Sequence, residues 1–122
     1  MRIGLKCGQW GWSFAELEES WIAADRSGFH LLSCFDRVTS APRGFRAWDA
    51  VALLVTMSAV TERARLSAHM LNSTLRHPVV LASQLAVAQA LSRGRLEVGL
   101  GAGAKYWEAF DSKPLASRLR RV

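Results

Sequence analysis

The chain has 122 residues, half of them hydrophobic, with 16 lysines and arginines against 10 acids and a net charge of +6. That length carries one domain with a core of its own, and the mixture of apolar and charged residues is that of a soluble globular protein. The longest apolar run, near Val51 to Val60, is interrupted by Thr56 and Ser58 and is too short for a membrane span. Two cysteines, Cys7 and Cys34, do not make a disulfide scaffold and fit small buried hydrophobes. The basic residues are scattered apart from Arg118, Arg120 and Arg121, without the aromatic interleaving of a nucleic-acid surface, so no nucleic-acid partner is expected. The N-terminus has neither an apolar h-region nor a small-residue cleavage site, which makes a cytoplasmic location the expectation.

In chain order, residues 2–6 read as a first strand. Ser13 and Glu16 have the spacing of a capping box. Leu17, Trp21 and Ile22 follow at helical spacing, and Gly28 is a candidate left-handed stop. Residues 29–35 are almost continuously apolar, as suits a parallel strand covered on both faces. Residues 38–46 hold Thr, Ser, Pro and Gly and read as a loop. A second helix is expected over 47–61, with Val51, Leu54, Val55 and Ser58 on one face, and a third strand over 65–72. Pro78 stands where a helix begins, since its missing amide costs nothing there. That helix runs through Leu81, Leu85 and Ala88 to Arg93-Gly94, and residues 95–100 alternate as a fourth strand. Strand starts fall about thirty residues apart, one βαβ step each. The alternation predicts an α/β fold with a parallel sheet, either doubly wound or a barrel, and periodicity alone does not choose between them.

The stretch Leu75-Arg76-His77-Pro78, continuing through Leu91-Ser92-Arg93-Gly94-Arg95-Leu96-Glu97-Val98-Gly99-Leu100-Gly101-Ala102-Gly103, resembles a motif region of the luciferase-like monooxygenases. That superfamily includes bacterial luciferase and the F420-dependent reductases. Ala24 to Phe29 followed by Phe35-Asp36, and Trp48-Asp49-Ala50 with Thr61 to Leu66, agree with it in the same order. The resemblance covers roughly residues 1–104. It implies the N-terminal half of a (β/α)₈ TIM barrel, with about four parallel strands and intervening helices. Such barrels normally need about 250 residues. The expectation is therefore a partial barrel domain over 1–104 with a truncated continuation or basic tail over 105–122.

In barrels of this kind the active site lies at the C-terminal ends of the strands. That rule selects Cys7 to Trp12, Asp36-Arg37, Asn72 to His77 and Gly101 to Lys105. The resemblance implies a histidine after the second strand, where Arg37 stands, and an acid after the fourth, where Ala104 stands. Arginine stays protonated and cannot shuttle a proton as histidine does. Arg37 suits an anionic substrate or the cofactor instead, or a surface pair with Asp36. Gly99 to Ala104 formally matches a dinucleotide fingerprint, but it follows the fourth strand rather than the first. Glycines there suit close approach of a flat isoalloxazine ring. The resemblance also implies a non-prolyl cis peptide near Ala68-His69-Met70, behind that ring. The expected cofactor contacts are Asp36, Ala68, His69, Gly101 and Gly103. The expected substrate contacts are Trp10, Arg37 and Trp48. Trp12 is a further candidate for the mouth, and His77 reads as a cap or loop residue. His30, His69, His77, Cys7 and Cys34 lack metal-ligand spacing, and no metal is expected.

Two functions follow as expectations. The first is a flavin (FMN)- or F420-dependent oxidoreductase or monooxygenase acting on a small organic molecule, with NAD(P)H as a possible external donor. The second is a non-catalytic half-barrel that dimerises or caps a partner, because an open sheet presents its edges.

Overall fold

The computed structural model describes residues 1–37 and 48–103. Its seven elements alternate as β1 (Gly4–Lys6), α1 (Phe14–Arg26), β2 (Leu31–Cys34), α2 (Ala50–Val60), β3 (Arg65–Asn72), α3 (Pro78–Leu91) and β4 (Leu96–Gly101). The expected loop over 38–46, the first residue of the expected second helix, Ala104, Lys105 and the tail lie outside the described residues.

Local chemistry explains where each helix begins and ends. At α1 the Ser13 hydroxyl accepts from the Glu16 amide at 3.2 Å, and the Glu16 carboxylate accepts from the Ser13 amide at 2.7 Å. That closes the capping box. Gly28 ends the element with φ of +85°. The α2 helix starts at Ala50 rather than 47, because Asp49 caps it by accepting from the Ala52 amide at 2.9 Å. Its buried face is Ala50, Val51, Leu53, Leu54, Met57 and Ser58, turned toward Leu53 and Met57, with Val55 only half-buried. In α3, Pro78 is the first residue, as its missing amide allows. His77 occupies the capping position without a side-chain bond to the helix.

All strand pairs are parallel, in the order β1-β2-β3-β4. Each crossover therefore steps to the adjacent strand in the same direction. A doubly wound sheet reverses order at a switch point, and a (β/α)₈ barrel does not. The helices lie over one face. Leu5, Leu32, Leu66 and Leu96 share a row across the sheet and pack with Leu17, Trp21, Leu54 and Met57. The next row, Lys6, Ser33, Ser67 and Glu97, is polar and points the other way, since successive strand residues alternate faces. Cys34 and Ala68 belong to the helix side and are buried in the core. Removing a core side chain as large as Trp21, which is 1% exposed, costs about 3–5 kcal/mol.

Asp25 fastens the opposite end of the sheet. Its carboxylate, at the end of α1, accepts from the backbone amides of Glu62 (2.8 Å), Arg63 (3.1 Å) and Ala64 (2.6 Å), just before β3. Arg95 completes this end by donating to the Thr61 carbonyl and hydroxyl and to the Ala64 and Ser58 carbonyls.

Candidate functional site

The parallel strands all end at one edge of the sheet, and there β2, β3 and β4 border an open cavity of about 260 Å³. Its walls are Phe35, Asp36 and Arg37 after β2, the His69 to Asn72 stretch of β3, and Gly101 to Gly103 at the end of β4. The His69–Met70 peptide is cis. The pairing of β3 with β4 shifts register between Ala68 and Leu71. Both strands thus leave regular pairing at the cavity.

Glycines at the end of β4 make room for the side chains of β3. A Cβ on Gly101 would come within 3.0 Å of the Met70 methyl, and one on Gly99 within 3.2 Å of the Met70 Cγ. Gly103 has φ of +81°, and a Cβ there would stand 2.8 Å from the Asn72 Oδ1. Both its backbone and its lack of side chain are therefore required.

The polar framework is a chain of three charged groups. Arg76 donates to both oxygens of Asp36, at 2.6 Å from Nη1 and 2.9 Å from Nη2, and it also pairs with Asp49. The Asp36 side chain is wholly buried and also accepts from the Asn72 amide at 2.9 Å. Burial works against the Arg76 charge, but the bonds and charges of Asp36 and Asp49 more than offset it and hold the guanidinium protonated. Burial likewise raises the Asp49 carboxyl, and the Ala52 amide and Arg76 outweigh it, leaving Asp49 below the usual carboxylate range. One bidentate pair, strengthened by its low-dielectric setting, thus joins the end of β2, the β3–α3 connection and the start of α2. Gln9 adds a neutral tie. It is buried, donates to the Trp48 carbonyl at 2.7 Å and accepts from the Phe35 amide at 3.1 Å.

Three buried side-chain polar atoms among the described residues have no hydrogen-bond partner: Trp10 Nε1, Asn72 Nδ2 and Ser73 Oγ. Asn72 is the last residue of β3, Ser73 follows it directly, and Trp10 lies in the segment after β1. A buried unpaired donor costs about 1–3 kcal/mol, and proteins keep such groups where another partner is to be met.

A model of the luciferase-like monooxygenase family matches residues 4–122. The chain belongs to that family. No curated protein matches it. Among solved structures it is similar to the oxygenating constituent of 3,6-diketocamphane monooxygenase of Pseudomonas putida, a complex with FMN. There the TM-score is 0.82 at 19% identity, over 98% of this chain and 36% of that one. It is also similar to the coenzyme F420-dependent tetrahydromethanopterin reductase of Methanopyrus kandleri, with a TM-score of 0.75 and 20% identity over 93% of this chain and 30% of that one. Monooxygenase RslO1 of Streptomyces bottropensis gives 0.74 and 27% over 99% of this chain and 39% of that one. The chain thus spans little more than a third of these structures' lengths at most, and the likeness fixes its fold as part of a luciferase-like barrel.

Within that family frame, His69, Gly101, Gly103, Asp36 and Arg37 come together around the cavity. Asp36 spends both oxygens on Arg76 and Asn72, so it shapes the wall from inside. The partner of Asp36 is Arg76, not the adjacent Arg37. The Arg37 guanidinium lies 5.9 Å from the Phe35 ring centroid, and the Lys6 ammonium lies 5.6 Å from the same centroid. Ala68 is not at the cavity surface, because its methyl lies on the helix side of β3. Trp10 stands edge-on behind Phe35 at 5.0 Å. Trp48 packs with Phe14 at 5.6 Å and donates to the Trp12 carbonyl at 3.3 Å, outside the cavity wall. The sequence marked the segment Asn72 to His77 as part of the site but singled out neither Arg76 nor Asn72 within it. The signal available was position alone, Asn72 being the last residue of the third strand and Arg76 lying just beyond it. No described His, Cys, Asp or Glu side chains cluster in a group of three suited to a metal ion.

Proposed function

We propose that the chain provides the ring-facing part of the cofactor site of a flavin (FMN)- or F420-dependent oxidoreductase or monooxygenase that acts on a small organic molecule. The observation that carries this reading is the glycine wall of Gly101 and Gly103 beside a buried, unpaired Asn72 donor. A flat heterocycle needs close approach of backbone on one face and a polar atom at its edge, and these residues fit both needs. The similar structures include a complex with FMN and F420-dependent enzymes, which supports this choice of cofactor.

In this reading Gly101, Gly103 and the His69–Met70 stretch hold the ring, while Asp36 positions the wall through Arg76. Arg37 and Phe35 stand at the substrate side, and Trp10 supports Phe35 from behind. When bound, such a cofactor transfers a hydride or, as a reduced flavin, activates oxygen, with NAD(P)H as external donor where reduction is needed. The protein's part is to bind, orient and exclude water. No described helix is long and apolar enough to cross a membrane. We place the activity in the cytoplasm.

Barrel enzymes usually hold phosphates with the loops after strands seven and eight. The described sheet has four strands, so the purified chain is expected to bind FMN or F420 weakly but saturably, followed by fluorescence quenching. Saturable binding of one names the cofactor. Absence of saturable binding of either overturns the reading, and tight stoichiometric binding overturns the division of labour between ring and phosphate.

A second reading, a non-catalytic half-barrel that pairs with a second copy, is favoured by a different observation. Val98 and Leu100 on β4 and Val80, Val87 and Leu91 on α3 are exposed. Sedimentation separates the two, since a monodisperse dimer without cofactor binding supports pairing and a folded monomer opposes it.

A further inference from the structure

Two cations meet at the ring of Phe35, which lines the cavity. The Lys6 ammonium, from the end of β1, lies 5.6 Å from the ring centroid, and the Arg37 guanidinium, just after β2, lies 5.9 Å from it. Both distances are within reach of a cation–π contact. The ring itself is fixed, since Trp10 stands edge-on to it at 5.0 Å and Gln9 accepts from the Phe35 amide at 3.1 Å. Lys6 also donates to the His69 carbonyl at 3.2 Å, so it touches two residues of the cavity wall, one after β2 and one in β3. An ammonium has three donors, and this bond takes one. The carboxylates that could balance Lys6 are committed elsewhere. Asp36 and Asp49 pair with Arg76, and Glu97, on the same sheet row as Lys6, pairs with Arg65. Two like charges around one ring repel each other, and an anion entering beside them relieves that repulsion.

We propose that Lys6 and Arg37 select a small organic acid as the substrate, its carboxylate taken at the Phe35 side of the cavity by their charges and by the remaining Lys6 N–H groups. This rests on the cofactor reading and adds to it the class of substrate. The two cations belong with the substrate and not with the cofactor's own phosphate. Lys6 is bonded to His69, in the stretch that holds the ring, whereas a phosphate sits at the far end of a ribityl chain. A guanidinium after β2 suits this task, because it keeps its charge at every working pH. The apolar remainder of the acid meets the Phe35 ring. A neutral molecule of the same shape is disfavoured, since it leaves both charges uncompensated.

The test uses the whole chain, isotope-labelled, with three probes: benzoate, its neutral analogue benzamide, and inorganic phosphate. In the wild type, benzoate moves the Phe35, Arg37 and His69 amide resonances saturably, and benzamide binds about fivefold or more weakly. Added salt weakens benzoate and leaves benzamide unchanged, because both cations are exposed and therefore screened. Lys6→Met keeps the apolar stem and loses the charge. Its thermal melt stays close to wild type while benzoate binding weakens by about threefold or more, the loss expected for one exposed charge, and Lys6→Arg restores it. If benzamide binds as well as benzoate, if Lys6→Met binds benzoate as tightly as wild type, or if no cavity resonance responds to benzoate, this inference is overturned. A stronger response to phosphate than to benzoate overturns it as well, because the cations then serve the cofactor's phosphate. The quenching titration with FMN and F420 decides the cofactor reading separately, so benzoate can fail while that reading stands.

Discussion

Asp25 is 5% exposed yet carries charge, and its surroundings say why. Burial pushes its carboxyl up, but the amides of Glu62, Ala64 and Arg63 and the nearby Arg95 outweigh that and hold it below the usual carboxylate range. A depressed folded value means the stabilisation is fully present above the unfolded value of about 4 and is lost as pH falls through the folded one. Urea titrations at a series of acidic pH values should therefore show stability falling below pH of about 4, and Asp25→Asn should flatten that limb at a cost of about 2–3 kcal/mol at neutral pH. Cys34 follows the opposite logic. Burial foremost, with Asp36 and Asp49, pushes its thiol up to about 12. Iodoacetamide at neutral pH should label half-buried Cys7 alone in the native chain and both cysteines in denaturant, read by mass spectrometry. At this scale the sequence marked Asp36, because it follows an apolar run. Arg76 could not be matched to it, since the two lie 40 residues apart and no periodicity encodes such a contact.

Elements were the most legible level, because their ends are written in local chemistry. Ser13 with Glu16, Gly28 and Pro78 act within a few residues of themselves, and each does what its neighbours require. The third strand, Arg65–Asn72, matches its expected span. The expected face of α2 was less accurate. Nearly every residue there is apolar, so composition could not say which side meets the sheet. The α3 helix presents the same difficulty more strongly. It is apolar nearly all round, but among the described residues only Leu81 and Ala88 are buried in it. Helices of that composition are covered on more than one side. Val87→Glu, at a residue 52% exposed, should change the stability of this chain by no more than about 0.5 kcal/mol in urea denaturation, whereas Leu81→Ala should cost about 2 kcal/mol or more. A large loss at Val87 would show that this face is covered in the folded chain.

At the scale of the molecule, alternation predicted a parallel sheet and stopped there. The choice of barrel type needed the strand order, and order is a property of which strands touch. The resemblance supplied it in advance, through Arg76-His77-Pro78 and the run from Gly94 to Gly103. The site was half legible for the same reason. The glycine-rich end of β4 is visible in one short segment, while the cavity needs β2, β3 and β4 together. Substituting Asp36→Asn should be costly, about 3 kcal/mol by urea denaturation, because the buried Arg76 then lacks its bidentate anion.

Strand β3 is seized at both ends by a carboxylate reaching from another segment. Asp25 takes the amides that lead into it, and Asp36 takes the amide of its last residue, Asn72. Eight residues separate Ala64 from Asn72, so the two anchors stand about 25 Å apart along the strand. They share no partner. Asp25→Asn and Asp36→Asn should therefore add in the double variant to within about 0.5 kcal/mol. The foundation and the mouth are separate joints on one beam, so the mouth can be recut for a new ligand while the footing that keeps the chain folded is left alone.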